Sequence, residues 1–338
     1  MTARYLTRDA PCIPTCRQPA LALAFAQERE LSVARVLTDT GLNAATLHLP
    51  QHQVSPAQLL LMLHNLARVA GDAELPFVLG SQWLPGHYGA VSHVLLLSAN
   101  LRQALTQLAR WPLSLSPLMT PRVEFDAQGA TLHWHDAWGV AAQHAFLVDL
   151  HMSAVAAMTR WLSGERLPWQ FRFNRTRPRE IAAHEVHLGH ALAFGAQRNS
   201  MHIGAAWLDR SWPRGNAAAV ELTVPQAAAA EQALDGAKSL LTLLYDHLQT
   251  RLHLSPTLDD CAQWLSISPA TLKRHLAHHG THYQAELDQV RAHVALDLLQ
   301  KEGLDNATVA SRLGFHDSNN FRRAFKRWTG LTPSQLAF

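Results

Sequence analysis

A repeat near the carboxyl end limits the folds open to this chain. The segment from Thr257 to Leu276 overlays the segment from Asn306 to Phe325. Ala262 falls on Ala310 and Leu265 on Leu313, an offset of 48; past a turn, Leu272 falls on Phe321, Arg274 on Arg323 and Leu276 on Phe325, an offset of 49. Each copy reads as a helix, a short turn and a second helix bearing basic residues. A small alanine lets the paired helices approach, and apolar residues on both seal the corner, which is the physical content of a helix-turn-helix. The second helix then presents its outer face to a major groove. Between the copies, Tyr283 to Gln300 reads as one continuous helix with Leu287, Val290, Val294 and Leu298 on a stripe. Such a rod holds two reading helices at fixed separation. One turn of B-DNA, about 34 Å, is the spacing that dimers of single units normally achieve.

The helix ends around the repeat are plainly marked. Thr257 with Asp260 forms a capping box, and Ser268-Pro269 and Thr332-Pro333 place a cap before a first-turn proline. Gly280, Gly303 and Gly330 stand where helices stop. The preceding part differs in character. Helical spacing appears over Leu21 to Thr38, Pro56 to Val69, Asn100 to Trp111 and Ala141 to Leu162, and strand-like runs over 122–125, 130–135, 169–173, 185–188 and 200–203. From Val220 to Ala233 the chain runs through Pro225 and many alanines without apolar periodicity. The expected architecture is an α+β amino-terminal sensor domain followed by an all-α domain with two helix-turn-helix units joined by a long linker helix. The expected boundaries are 1–222 for effector sensing and dimerisation, 223–233 for a linker, and 234–338 for DNA binding, with the helix-turn-helix units at about 257–279 and 306–328.

Composition removes other classes. Apolar residues make up 48% of the 338 and charged ones 16%, which excludes intrinsic disorder and a fibrous repeat. No stretch approaches the roughly 20 consecutive apolar residues of a membrane span; the best candidate, Val91 to Ala99, is half that length, so no membrane partner is expected. Arg4, Arg8 and Arg17 precede a short apolar run, Ala20 to Ala26, but Pro11 and Pro14 interrupt the approach to what would be a signal-peptide core. A cytoplasmic location follows as the expectation. The three cysteines, Cys12, Cys16 and Cys261, make no disulfide framework, and no second pair completes a zinc site with Cys12 and Cys16. There is no Gly-rich phosphate loop, HExxH or Gly-x-Ser-x-Gly elbow, so neither catalytic residues nor a cofactor are expected.

The residues Gly314-Phe315-His316-Asp317, Phe321, Arg323, Phe325-Lys326-Arg327, Gly330 and Thr332-Pro333-Ser334 closely resemble the signature of the AraC/XylS-type bacterial transcription regulators. The resemblance covers about 100 residues, 234–338. A weaker likeness, in Leu79-Gly80 through Tyr88-Gly89 and in His190 to Phe194, suggests the branch similar to ornithine-utilisation-type regulators in its amino-terminal, arabinose-binding-type domain. Two departures stand out. The family usually carries serine where Asn319 stands, and a tyrosine-arginine pair near Leu336 and Ala337, which implies a less firmly anchored last helix. Some DNA-repair alkyl acceptors share the module but need a reactive proline-cysteine-histidine context, and Cys12 precedes isoleucine. The resemblance implies a sequence-specific regulator of transcription acting on a double-stranded DNA operator, controlled by a small organic effector, with a homodimer and, for an activator, RNA polymerase as further partners.

Position by position, Ala270, Lys273 and Arg274 on the first reading helix, and Ser318, Asn319, Arg322 and Arg323 on the second, project opposite the apolar face and are candidates to read bases. Arginine bonds guanine bidentately and asparagine adenine. Thr271, Lys326 and Arg327 suit phosphates. From 306 on, Arg312, Arg322, Arg323, Lys326 and Arg327 face Asp317 alone among acidic residues. For the effector, Trp83, His87, Tyr88, Trp134 and Trp138 are the candidates, since aromatic-lined pockets suit apolar organic molecules. Two alternatives remain: an amino-terminal domain that only dimerises, and a metal-responsive regulator. His184, His187 and His190 at three-residue spacing, and His133 with His135, motivate the latter. A strand over 185–188 would send the first three rings to different faces, and no metal site is expected. His275, His278, His279 and His282 gather at the end of the first reading helix, where the dipole favours them.

Overall fold

Apolar residues recurring every three or four positions build most of the first part of the chain as helices. The computed structural model describes residues 5–234 and 238–336. They fall into two units, residues 8–234 and residues 5–7 together with 238–336.

In the amino-terminal unit, strands β1 (Ile13–Pro14) and β2 (Gln53–Val54) pair antiparallel. Helices α1 (Gln18–Glu28), α2 (Val33–Val36), α3 (Pro56–Ala70), α4 (Leu75–Trp83), α5 (Ala90–Leu96), α6 (Leu101–Arg110) and α7 (Pro112–Leu115) precede the main sheet. Ser55 starts α3 with a full capping box to Gln58. The single helix expected over 21–38 is broken, because Glu30 turns at φ 54°, a left-handed backbone that no helix interior accepts. The sheet has order β3-β4-β7-β5-β6: β3 (Met119–Phe125), β4 (Gly129–Asp136), β5 (Gln170–Phe173), β6 (Leu192–Phe194) and β7 (Ser200–Gly204). The β3–β4 hairpin pairs Phe125 with Ala130, as the turn residues Gln128-Gly129 indicate. Among the described residues of that sheet, only β5 and β6 pair parallel. Helix α8 (His144–Ser163) packs along α4, where a Cβ on Gly80 would collide with the Leu150 carbonyl, and Ser153 donates to the Phe77 carbonyl at 2.7 Å.

Two expectations need correction. Residues 185–188 are not a strand; they belong to helix α9 (Ala182–Leu188), whose buried His184 and Leu188 lie four apart on one helical face. Residues 223–233 are not an open linker, since α10 runs from Ala217 to Gln232. Alanine is the strongest helix former, Asn216 caps the start by accepting from Ala219, and Pro225 sits inside at an exposed position. The helix packs on α5, burying Val220 and Ala227. Near its end Glu231 accepts from the Leu113 and Ser114 amides and the Ser114 hydroxyl. Proline's cost of about 3 kcal/mol in a helix interior is offset by that docking. The break between units therefore lies past residue 234, later than the expected boundary at 222.

The carboxyl-terminal unit is helical: α11 (Leu240–Arg251), α12 (Leu258–Trp264), α13 (Pro269–His278), α14 (Tyr283–Gln300), α15 (Asn306–Arg312) and α16 (Ser318–Thr329). Residues 5–7 join it. Leu6 bridges Ser239 through hydrogen bonds to Lys238 and Leu240, and the Tyr5 hydroxyl lies 2.9 Å from His275 Nδ1. Among the described residues no helix is long and apolar enough to cross a membrane.

Candidate nucleic-acid interface

The repeated apolar positions point inward. Ala262 and Ala310, Leu265 and Leu313, Leu272 and Phe321, and Leu276 and Phe325 are buried in one apolar cluster, together with Leu287, Val290 and Leu298 of α14. With those faces committed to the core, the opposite faces of α13 and α16 are left to solvent. Ala270, Lys273 and Arg274 are exposed on α13, and Asn319, Arg322, Arg323, Lys326 and Arg327 on α16; Thr271 and Ser318 are half-buried. The residues singled out from the sequence thus cluster on the outer faces of these two helices.

The turns before α13 and α16 are related by the same repeat. Ser266 and Gly314, 48 apart, both take left-handed backbone, φ 58° and 75°. At Gly314 a Cβ would also meet the Leu252 carbonyl at 2.7 Å, so glycine is required there for space as well as conformation. Each outer helix then starts at a capped residue. Ser268 Oγ accepts from the Thr271 amide at 3.1 Å and lies 2.9 Å from Thr271 Oγ1. Asp317 accepts from the Asn320 amide at 2.7 Å.

That second cap leads to a chain the sequence reading missed. Asn320 Nδ2 donates to Asp317 at 2.7 Å, and Asn320 Oδ1 accepts from Arg323 at 2.9 Å. Arg322 donates to Asn319 in the same way. Both guanidinium groups are therefore oriented by amides three residues earlier, the spacing of neighbours on a helix. Arg327 reaches across to Asp288 of α14 at 3.0 Å, so this cation is partly neutralised. The last turn is held as well: Thr332 and Gln335 close a capping box, and Leu336 is buried in the carboxyl core. The weaker anchoring implied by the missing tyrosine-arginine pair does not hold at Leu336; Ala337 lies outside the described residues.

The effector candidates separate. His87 and Tyr88 line a groove of about 610 Å³ in the amino-terminal unit, with Arg17, Leu21, Leu84 and Trp161 among its other walls. Arg17, donating to Ser114 Oγ at 2.8 Å, was not foreseen; burial lowers its pKa. Tyr88 is 2% exposed, donates to the Trp83 carbonyl at 2.7 Å, and is pushed well above the usual phenol range by burial. Trp83, Trp134 and Trp138 are buried core residues outside that groove; the rings of Trp83 and Trp134 pack against His151 of α8. Trp138 Nε1 donates to the Pro117 carbonyl.

The histidines take separate partners. His184 Nε2 lies 2.8 Å from Arg175, which also holds Asp149 at 2.5 Å; His187 pairs with Glu74 at 2.7 Å; His190 is exposed. His133 and His135 are both buried on β4. Among the described residues no three His, Cys, Asp or Glu side chains are placed to hold a metal ion. The three cysteines are free thiols, and burial pushes Cys12 up to about 12 and Cys261 to about 11.

Known proteins resemble the chain along most of its length. Residues 31–212 match the family described as the arabinose-binding domain of AraC transcription regulator, N-term, and residues 261–337 match a helix-turn-helix domain. An uncharacterized HTH-type transcriptional regulator of Mycobacterium tuberculosis is 28% identical over 322 residues, 92% of each chain. The ornithine utilization regulator of Pseudomonas aeruginosa is 28% identical over 330 residues, 97% of each. The crystal structure of the transcriptional regulator CdpR from Pseudomonas aeruginosa is 20% identical, with a TM-score of 0.44 over 93% of this chain and 95% of that one. The chain belongs to the AraC family of DNA-binding transcription regulators, with an arabinose-binding-type amino-terminal domain and a helix-turn-helix carboxyl-terminal domain.

Proposed function

We propose that α12–α13 and α15–α16 are two helix-turn-helix units, that α14 links them, and that α13 and α16 read successive major grooves of one operator. The carrying observation is the repeat itself: matched positions are buried and matched outer faces are basic. Helix α14, 18 residues or about 27 Å at 1.5 Å per residue, is a spacer of suitable length. Arg274, Lys273 and Ala270 on α13, and Arg323, Arg322, Asn319 and Ser318 on α16, face base edges. Lys326, Arg327 and Thr271 face phosphates. The Asp317–Asn320–Arg323 chain supports a base-reading Arg323, because an oriented guanidinium loses less rotamer freedom on binding.

The amino-terminal unit supplies regulation through a small organic effector in the groove that His87 and Tyr88 line. Its size falls within the few hundred to about 1,000 Å³ usual for ligand sites. Ala20, Leu21, Ala24, Leu84, Pro85 and Trp161 make most of its wall apolar, which suits an apolar body better than a sugar. The effector acts by binding one state of the protein more tightly than another.

Arg323→Ala tests the reading role. It costs about 1–3 kcal/mol on specific DNA and relaxes preference at one base pair, while Lys326→Ala weakens all sequences alike and lowers the salt slope by about one. Equal loss on specific and scrambled DNA for Arg323→Ala would remove its base-reading role.

A further inference from the structure

Trp83 ends α4 fully buried, and His151 sits at the middle of α8, 2% exposed. Their ring centroids are 6.3 Å apart, and Trp134 of β4 flanks His151 at 6.1 Å. His151 Nδ1 lies 2.7 Å from the Leu147 carbonyl oxygen. A carbonyl only accepts, so Nδ1 carries the proton and Nε2 of the neutral ring is a bare acceptor. Among the described residues neither His151 Nε2 nor Trp83 Nε1 has a hydrogen-bond partner. One is an acceptor without a donor, the other a donor without an acceptor. Native proteins seldom leave such buried groups unmatched, because each forfeits the hydrogen bonds it made to water.

We propose that one hydroxyl oxygen bridges these two side chains, accepting from Trp83 Nε1 and donating to His151 Nε2. A hydroxyl has one proton and spare lone pairs, so it meets both needs at once; a carboxylate or an ammonium meets only one. Two bonds of about 2.9 Å meeting at an oxygen require the two nitrogens roughly 5 Å apart, a requirement the bridge places on rings whose centroids are 6.3 Å apart. The oxygen belongs to an ordered water or to the hydroxyl of a small organic ligand. Only the second source rests on the effector reading. In that case Trp83 and His151 hold the hydroxyl of an alcohol- or phenol-bearing effector at a place apart from the groove that His87 and Tyr88 line, tying α4 to α8.

The test is nuclear magnetic resonance of the full chain with isotope-labelled histidine and tryptophan nitrogens. The expected spectrum shows His151 protonated at Nδ1, its Nε2 lone pair hydrogen-bonded, and the Trp83 indole proton hydrogen-bonded as well. Trp83→Phe then moves the Nε2 resonance to the position of a free lone pair. Free positions for both atoms in the unsubstituted protein, or a Nε2 resonance that ignores Trp83→Phe, would overturn the bridge; if that variant does not fold, the unsubstituted spectrum decides alone. Magnetisation transfer from water to the Trp83 indole proton identifies water as the source. Release of one hydroxylated compound per chain on denaturation, seen by mass spectrometry, identifies an organic one. Either supports the bridge, and water without a released compound removes only its link to the effector. Finding neither overturns the site.

Discussion

In the carboxyl-terminal unit, polar side chains mostly bond to residues three positions away; in the amino-terminal unit many bond across the chain. Ser268 with Thr271, Asp305 with Thr308, Asp317 with Asn320 and Thr332 with Gln335 are all spaced by three. By contrast, Arg102 pairs with Asp209, Ser114 with Glu231, Gln143 with the Leu60 carbonyl and Arg175 with Asp149. Local bonds define helices that are then free to pack by their apolar stripes. Long-range bonds make the first unit's polar groups depend on the whole fold. The first unit should therefore respond more strongly to changes in protonation, and the second to changes at its turns.

Acidification gives the largest predicted separation. Burial lowers His151 from 6.5 to about 4. The unfolded chain then binds more protons than the native one between those values, so stability is full above about pH 6.5 and falls as the pH drops toward 4. The loss at this one group is about 3 kcal/mol. His144 shifts in the same direction, also chiefly by burial, and adds to it. Denaturant unfolding of the full chain at several pH values, followed by fluorescence, should show the tryptophan-rich unit weakening first. His151→Leu should flatten that dependence, and an unchanged slope would contradict it.

An intermediate effect is expected from the first residues. Leu6 is 7% exposed, and Tyr5 bonds His275 of α13. Removing residues 1–7 should destabilise the carboxyl-terminal unit by about 2 kcal/mol, the worth of one buried leucine, and leave the amino-terminal transition in place. Differential scanning calorimetry resolves the two; a shift in the wrong transition would break the comparison.

The smallest effects lie at the paired turns. Ser266→Gly should stabilise by up to about 1 kcal/mol, because it removes the left-handed penalty of a residue with a Cβ. Gly314→Ala should destabilise, having both that penalty and the Leu252 carbonyl against it. Opposite signs in thermal melts are the expected outcome; equal signs would mean the two turns are not equivalent.

What could be read from the sequence follows the same division. Caps, stops and the apolar repeat of the second unit act within a few residues, so Thr257 and Ser268 announced their helices, whereas the cap at Asp317 was not read. The exposed faces of α13 and α16 followed once the buried positions were known. Asn320 was missed because its role depends on the cap beside it and the arginine after it. In the first unit, the identity of Trp83, Trp134 and Trp138 did not reveal that they are core, since burial there is decided by α4, α8 and the sheet meeting. Glu30 and Pro225 misled in opposite ways. A left-handed residue broke an apparently continuous helix, and a proline failed to break one whose far face was docked.

Selection of binding sites from random double-stranded DNA by the full chain tests the central claim most directly. If α13 and α16 are both reading helices, as proposed, the selection should enrich sites with two blocks of preferred bases whose centres lie about one helical turn, about 10 base pairs, apart. Repeating the selection with Arg323→Ala should blur one block and leave the other. Enrichment of a single block, or blocks at no fixed spacing, would contradict the account.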